Sequence, residues 1–165
     1  MATTSLGGNP VQTVGDLPSV GSSCPDFSLT KSDLSELGKA DLTGKRVVLN
    51  IFPSIDTAVC ATSVRKFNEL ASSMDNTVVV CASADLPFAL NRFCGAEGLE
   101  NVVTGSCFRS DFGSALGVTM ADGRLSGLLA RAVVVVDENG TVVHSQLVPA
   151  ISEEPDYDAA VAALG

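Results

Sequence analysis

The chain has 165 residues, about one domain on the usual ~150-residue scale. Ten Lys and Arg against 19 Asp and Glu leave a net charge of −9, a field that repels polyanions, so nucleic acid and acidic membrane surfaces are not expected partners. With 45% hydrophobic and 18% charged residues there is ample material for a core, yet no apolar run approaches the ~18 residues that span a bilayer.

Met1 to Gly15 carries neither a basic n-region nor a continuous apolar h-region, so the expected address is cytoplasmic, with a periplasmic mature form also compatible. Five cysteines, at 24, 60, 81, 94 and 107, form no CxxC pair, and His144 is the single histidine. A zinc ribbon or finger is therefore not expected, and an odd cysteine count argues against a secreted disulfide framework.

Residues 1 to 22, rich in Gly, Pro, Ser and Thr around Val11 to Val14, suit an appended hairpin. Val47 to Phe52 is a short β-branched run closed by Pro53, which predicts a buried strand. From Asp56 the period changes. Cys60, Val64, Phe67, Ala71 and Met74 share one face of an amphipathic helix. Thr77 to Ala82 is the next buried strand. Asp85 as cap, Pro87 in the first turn and Gly95 at the end bracket a helix over Pro87 to Cys94. Val102 and Val103 suggest a short strand, and Ser110 to Leu116 a helix stopped by Gly117.

Ala132 to Val136 and Thr141 to Leu147 flank Asp137-Glu138-Asn139-Gly140, a hairpin signal that makes the pair antiparallel. A closing helix starts at Pro155, with Tyr157, Ala160, Val161 and Leu164 on one face. This order implies an α/β chain with a thioredoxin-like three-layer fold, its central mixed β-sheet flanked by helices and preceded by an N-terminal β-hairpin. Residues 1–165 read as a single domain, with 1–22 the hairpin extension.

The informative segment runs from Phe52 to Ser63, Phe-Pro-Ser-Ile-Asp-Thr-Ala-Val-Cys-Ala-Thr-Ser. It places Cys60 in the first turn of a helix at the carboxyl end of a strand, where backbone N–H groups and the helix dipole stabilise an anion. Thr57 precedes Cys60 by the capping-box spacing, with sulfur where the usual Glu would stand, so its hydroxyl is expected to face the thiol. Deprotonation alone achieves little. Lowering a thiol pKa from ~8.5 to ~6 raises the thiolate fraction at pH 7 roughly 30-fold, while nucleophilicity falls roughly 13-fold. A fast cysteine enzyme must also stabilise charge developing on its substrate, through donors such as Thr57, the first-turn N–H groups and an arginine.

Pro53-x-x-x-Thr57-x-x-Cys60 resembles the PxxxTxxC motif of the peroxiredoxins, and its intervening residues resemble the bacterial thiol peroxidase branch, an atypical 2-Cys group. The resemblance extends through Ser63 to Glu69, Ser83 to Ala89, Arg92 to Gly98, Ala130 to Val136 and Glu154 to Tyr157, nearly the whole chain. It implies an antioxidant peroxidase that reduces hydrogen peroxide and alkyl hydroperoxides. Cys60 would be the peroxidatic residue that becomes a sulfenic acid. Cys94 would resolve it as an intramolecular disulfide, and thioredoxin would reduce that bond. Thr57 and Arg131 match residues that orient the peroxide, and Pro53 matches the one that shields the thiolate. No metal or organic cofactor is implied, and a homodimer is. Cys24, in Gly21-Ser-Ser-Cys-Pro25, departs from the small apolar residue that peroxiredoxins often have before the proline at this place, outside the catalytic motif.

Each residue has a plainer reading. A helix-start cysteine is ordinarily a packed thiol, and Cys94 alone is as readily core as reactive. Cys24, Cys81 and Cys107 read as packing residues, Arg131 as a strand-start surface charge, Arg65 and Lys66 as solvated helix positions, and His144 as a satisfied strand residue. Two other functions remain open: a thioredoxin-like disulfide reductase built on Cys60-Ala-Thr-Ser63, and a non-catalytic thiol sensor. A cysteine phosphatase fails, because position 66, where its loop needs arginine, is Lys.

Overall fold

The computed structural model describes residues Met1–Gly165. Strands β1 (Thr3–Leu6) and β2 (Asn9–Gln12) form an antiparallel hairpin. Its turn is Gly7-Gly8, at φ of +57° and +84°, the left-handed pair a two-residue hairpin requires. Two strands invisible to periodicity follow, β3 (Ser28–Thr30) and β4 (Glu36–Gly38), antiparallel to each other and leading into a 3-10 turn over Lys39–Leu42. Three residues carry too little alternation to register as a strand.

The core elements are β5 (Arg46–Ile51), α1 (Ala58–Ala71), β6 (Thr77–Ser83), α2 (Pro87–Glu97), β7 (Val103–Ser106), α3 (Phe112–Ala115), β8 (Ala132–Val136), β9 (Val142–Leu147) and α4 (Tyr157–Ala162). Seven strands make one mixed sheet in the order β4-β3-β7-β6-β5-β8-β9. The β5-β6 and β6-β7 pairs are parallel, whereas β8 runs antiparallel to both β5 and β9. This is the thioredoxin-like layout expected from the order of elements.

The pleat divides the core. Leu49, Ile51, Val80, Ala82, Ala132 and Val134 face Phe112, Leu116 and Leu42, while Val48, Val79, Val133 and Val135 face Val64, Phe67, Leu90 and Ala160. Helices α1, α2 and α4 therefore cover one side of the sheet. Each fully buried aliphatic or aromatic side chain contributes about 1.5–3 kcal/mol, and this packing holds the end of β5 fixed.

Three helices differ from expectation at their ends. Helix α2 continues through Gly95 to Glu97 and ends at Gly98, whose φ of +67° lets the Gly98 and Leu99 N–H groups turn back onto the Cys94 carbonyl. Gly95 occupies open space, so nothing stops the helix there. Asp85 does not cap α2: Leu86 is the N-cap and makes no side-chain bond. Helix α3 is a single turn, ended by Gly117 at φ +72° with the backbone of Asp16 packed against it. The closing helix begins at Tyr157, capped by the Asp156 carboxylate, which accepts from the Ala159 N–H.

Candidate active site

Strand β5 delivers the site. The Phe52 N–H still pairs with the Ala82 carbonyl, and then Pro53, having no N–H, ends the strand and opens a loop to Thr57. Thr57 is the extended N-cap of α1, and its carbonyl accepts the Ala61 N–H. Cys60 is the third helical residue, with the N–H groups of Ala58, Val59 and Cys60 outside the helix's own ladder. Its side chain is fully buried, in the apolar cluster that includes Phe52, Ile55 and Val64. Pro53 is buried too.

Arg131 immediately precedes β8, antiparallel to β5, and this register carries it to the sulfur. Its Nη2 donates to Cys60 Sγ at 3.2 Å and its Nε to the Ile151 carbonyl at 2.9 Å. Arg131 is 1% exposed, which removes the surface-charge reading, and its buried Nη1 has no protein acceptor. An unpaired buried donor is costly, so a guanidinium left with one spare nitrogen beside a buried sulfur is suited to a small oxygen-bearing ligand. Ile151 is held in turn by the hairpin: its N–H donates to the Ser5 carbonyl at 2.8 Å, and the Thr4 hydroxyl donates to the Val148 carbonyl.

The Thr57 hydroxyl is turned elsewhere. It is exposed and donates to the Ser54 carbonyl at 3.0 Å, not to Cys60, because the loop's own turn supplies a nearer acceptor. Nor does Ser63 act as the partner of a CxxS pair. It is fully buried, donates to the Cys60 carbonyl at 2.8 Å and accepts from Asn50 Nδ2.

Cys94 lies in the last turn of α2, half-buried, with burial pushing its thiol up. It lines a cavity of roughly 360 Å³ with Lys31, Asn91, Leu99 and Thr104, a space that Cys60 does not border. Both thiols are free, and the structure does not bring them together.

A family model described as Redoxin matches residues 19–161. The thiol peroxidase of Corynebacterium glutamicum is 58% identical over 164 residues, covering 99% of each chain. That of Mycobacterium tuberculosis is 56% identical over 165 residues, covering 100% of this chain and 99% of the relative. A solved peroxiredoxin-like protein from Aquifex aeolicus superposes with a TM-score of 0.93 at 40% identity, over 99% of this chain and 96% of that one. The chain belongs to the redoxin family, among its thiol peroxidases.

Within that enzyme family's frame the other cysteines are set apart by burial. Cys81, on β6, is fully buried and pushed up to about 12, although Asn50 Nδ2 lies 3.7 Å from its sulfur. Cys107 is pushed up to about 11 by burial. Cys24 lines a cavity of roughly 470 Å³ with Lys39, Lys45 and Asp137, next to Val47 at the start of β5 and so at the far end of that strand from Cys60. His144 is lowered by burial, and its buried Nε2 has no partner, against the expected satisfied ring. Sequence reasoning missed Ser54 and Ile151, which hold the loop and the arginine, and misassigned Asp85. A backbone acceptor has no sequence signature, and Asp two residues before Pro87 looks like a cap. No helix is long and apolar enough to cross a membrane.

Proposed function

We propose that the protein reduces hydrogen peroxide and alkyl hydroperoxides with electrons from thioredoxin. The observation that carries the reading is Arg131, which places Nη2 on the Cys60 sulfur and leaves Nη1 free in the same buried site. A peroxide oxygen accepting from Nη1 would lie beside the nucleophile, and charge developing on the departing oxygen would meet a guanidinium already in position. The Cys60 thiolate attacks one oxygen of the peroxide. A sulfur–oxygen bond forms, the oxygen–oxygen bond breaks, and the departing oxygen takes a proton to leave as water or alcohol. Sulfur loses two electrons and becomes a sulfenic acid. The Cys94 sulfur then attacks Cys60 sulfur, water departs, and the intramolecular disulfide is reduced by the thioredoxin dithiol.

Thr57 enters this reading by rotating its hydroxyl from Ser54 toward the bound peroxide, and Pro53 by shielding the sulfur from water. A homodimer is part of it, supported by Leu86, Phe88 and Phe108, which are 51%, 63% and 46% exposed. The whole chain acts as one unit, supported by the link from Ser5 through Ile151 to Arg131. Five free thiols suit a cytoplasmic, reducing setting. The reaction asks for no metal or organic cofactor.

One equivalent of hydrogen peroxide added to reduced protein should consume two of the five thiols and link the Cys60 and Cys94 peptides within one chain. Coupled to thioredoxin, its reductase and NADPH, the wild type should turn over, and Cys60→Ser should not. An unchanged thiol count sinks the reading.

A further inference from the structure

Asp85 stands between β6 and α2, where a helix cap would be expected, yet its carboxylate serves another part of the chain. Oδ1 accepts from the Ser54 hydroxyl at 2.8 Å, and Oδ2 accepts from the Ile55 N–H at 2.7 Å and the Ser83 hydroxyl at 2.6 Å. None of these donors belongs to α2, whose early Ala89 N–H is taken by the Leu86 carbonyl. Asp85 is itself anchored to the sheet. Its N–H donates to Ser83 Oγ at the end of β6, and its carbonyl accepts from the Ser106 hydroxyl at the end of β7.

Across the gap, the loop that carries Pro53 and Thr57 has its polar contacts gathered on Ser54. The Ser54 hydroxyl accepts the Asp56 N–H at 3.2 Å, and the Ser54 carbonyl accepts both the N–H and the hydroxyl of Thr57. Thr57 then starts α1 through the Ala61 N–H. A chain of bonds thus runs from a rigid sheet end through Asp85 and Ser54 to the N-cap of the helix that bears Cys60.

We propose that Asp85 is a positioning residue for the Cys60 reaction: it holds the Pro53–Thr57 loop, and through Thr57 the first turn of α1, in the geometry that meets the peroxide. The proposal rests on the peroxidase reading for its substrate, but its geometric content stands apart from it. A carboxylate suits the place because three donors from two segments converge on two oxygens, and charge-assisted bonds of this kind are stronger and shorter than neutral ones. A neutral substitute loses part of that set. The Asp85→Asn side chain would keep one oxygen for the Ile55 N–H and could donate to Ser54 Oγ, whereas Asp85→Ala would leave all three donors without an acceptor.

The test compares wild type with Asp85→Ala, Asp85→Asn and Ser54→Ala. Stopped flow measures the second-order rate of Cys60 oxidation by hydrogen peroxide and, separately, the rate of disulfide formation that follows. Iodoacetamide alkylation of Cys60 against pH reports the thiol without any peroxide. Misplacement of a reacting group by about 1 Å costs about 10²-fold, the expected slowing of oxidation in Asp85→Ala. Asp85→Asn should fall between Asp85→Ala and wild type, and Ser54→Ala, losing both its bond to the Asp85 carboxylate and the acceptor of the Asp56 N–H, should slow oxidation roughly tenfold. The alkylation profile should shift in the same order, and disulfide formation should not slow.

Wild-type oxidation rates in Ser54→Ala and Asp85→Asn overturn the proposal, and those two decide it if Asp85→Ala does not fold by circular dichroism. Equal slowing of both steps also overturns it, since that is what general loosening would give. Should the wild type consume no peroxide, the peroxidase reading fails, while a shifted alkylation profile in Asp85→Asn would still uphold the positioning role.

Discussion

The surroundings of Cys60 and of Cys94 are built on opposite principles. Cys60 is wholly buried, its sulfur touched by a guanidinium that is itself buried and anchored on Ile151, and its loop is tied to Asp85. Cys94 sits half-buried one turn from a glycine-capped helix end, and the ion pairs that tie this part of α2 to α1 and to the loop before it are exposed. Arg65 reaches Glu97 at 2.7 Å while lying over Phe93, and Arg92 reaches Asp56 at 3.2 Å. Exposed ion pairs are screened by water and contribute little, so the end of α2 is cheap to release, whereas releasing Cys60 would uncover buried polar groups. The contrast suits a reaction in which one sulfur waits in a fixed site and the other travels to it.

The largest effect should come from removing the traveller. Cys94→Ser should abolish thioredoxin-coupled turnover while the first peroxide equivalent is consumed at a rate within about twofold of wild type, because that step uses only the fixed site. Slowed first-equivalent consumption would blur the division between the two regions. Next comes the fixed site itself. Arg131→Met keeps bulk but removes the donors, and Cys60 oxidation in single turnover should slow about 10²–10³-fold, the usual loss for one well-placed transition-state donor.

A smaller effect concerns a thiol inside the core. Cys81 is raised by burial from 9.0 to about 12, so the folded state favours the thiol. The associated stability is fully present below the unfolded value and is lost as pH rises through that window toward 12, at about 1.4 kcal/mol per pH unit. Urea midpoints at pH 8 and pH 10 should show the fall, and Cys81→Ala should reduce it. Cys107, raised to about 11, adds to the same loss. The smallest effect is on the α2 side. Glu97→Gln breaks the exposed pair with Arg65 and should speed disulfide formation by about two- to fivefold without altering Cys60 oxidation. High salt should mimic it, and a salt-independent rate would show that the pair does not restrain α2.

Much of this contrast is legible in the sequence. The β-branched run into Pro53 and the helical period through Cys60, Val64 and Phe67 put the thiol at a strand-to-helix junction, because both signals are local and repeat over several residues. The ends of elements were less legible. Gly95 looked like a stop, yet Gly98 ends α2, since only the residue that adopts the left-handed cap conformation matters and composition does not say which glycine does. β3 and β4 leave no periodic signal, because they are held by pairing with β7 and with each other, not by a pattern of their own.

At the site the division is the same. Local sequence determined that Cys60 begins a helix after a strand, and that Pro53 and Thr57 flank it at fixed spacing. Only the tertiary structure decided that Arg131, 71 positions away, lays its guanidinium on that sulfur, that the Thr57 hydroxyl turns to Ser54, and that Asp85 grips the loop instead of capping its own helix. Periodicity records which face of an element is buried. Contacts between elements depend on register and on which donor meets which acceptor once the sheet has assembled, and no local pattern encodes that.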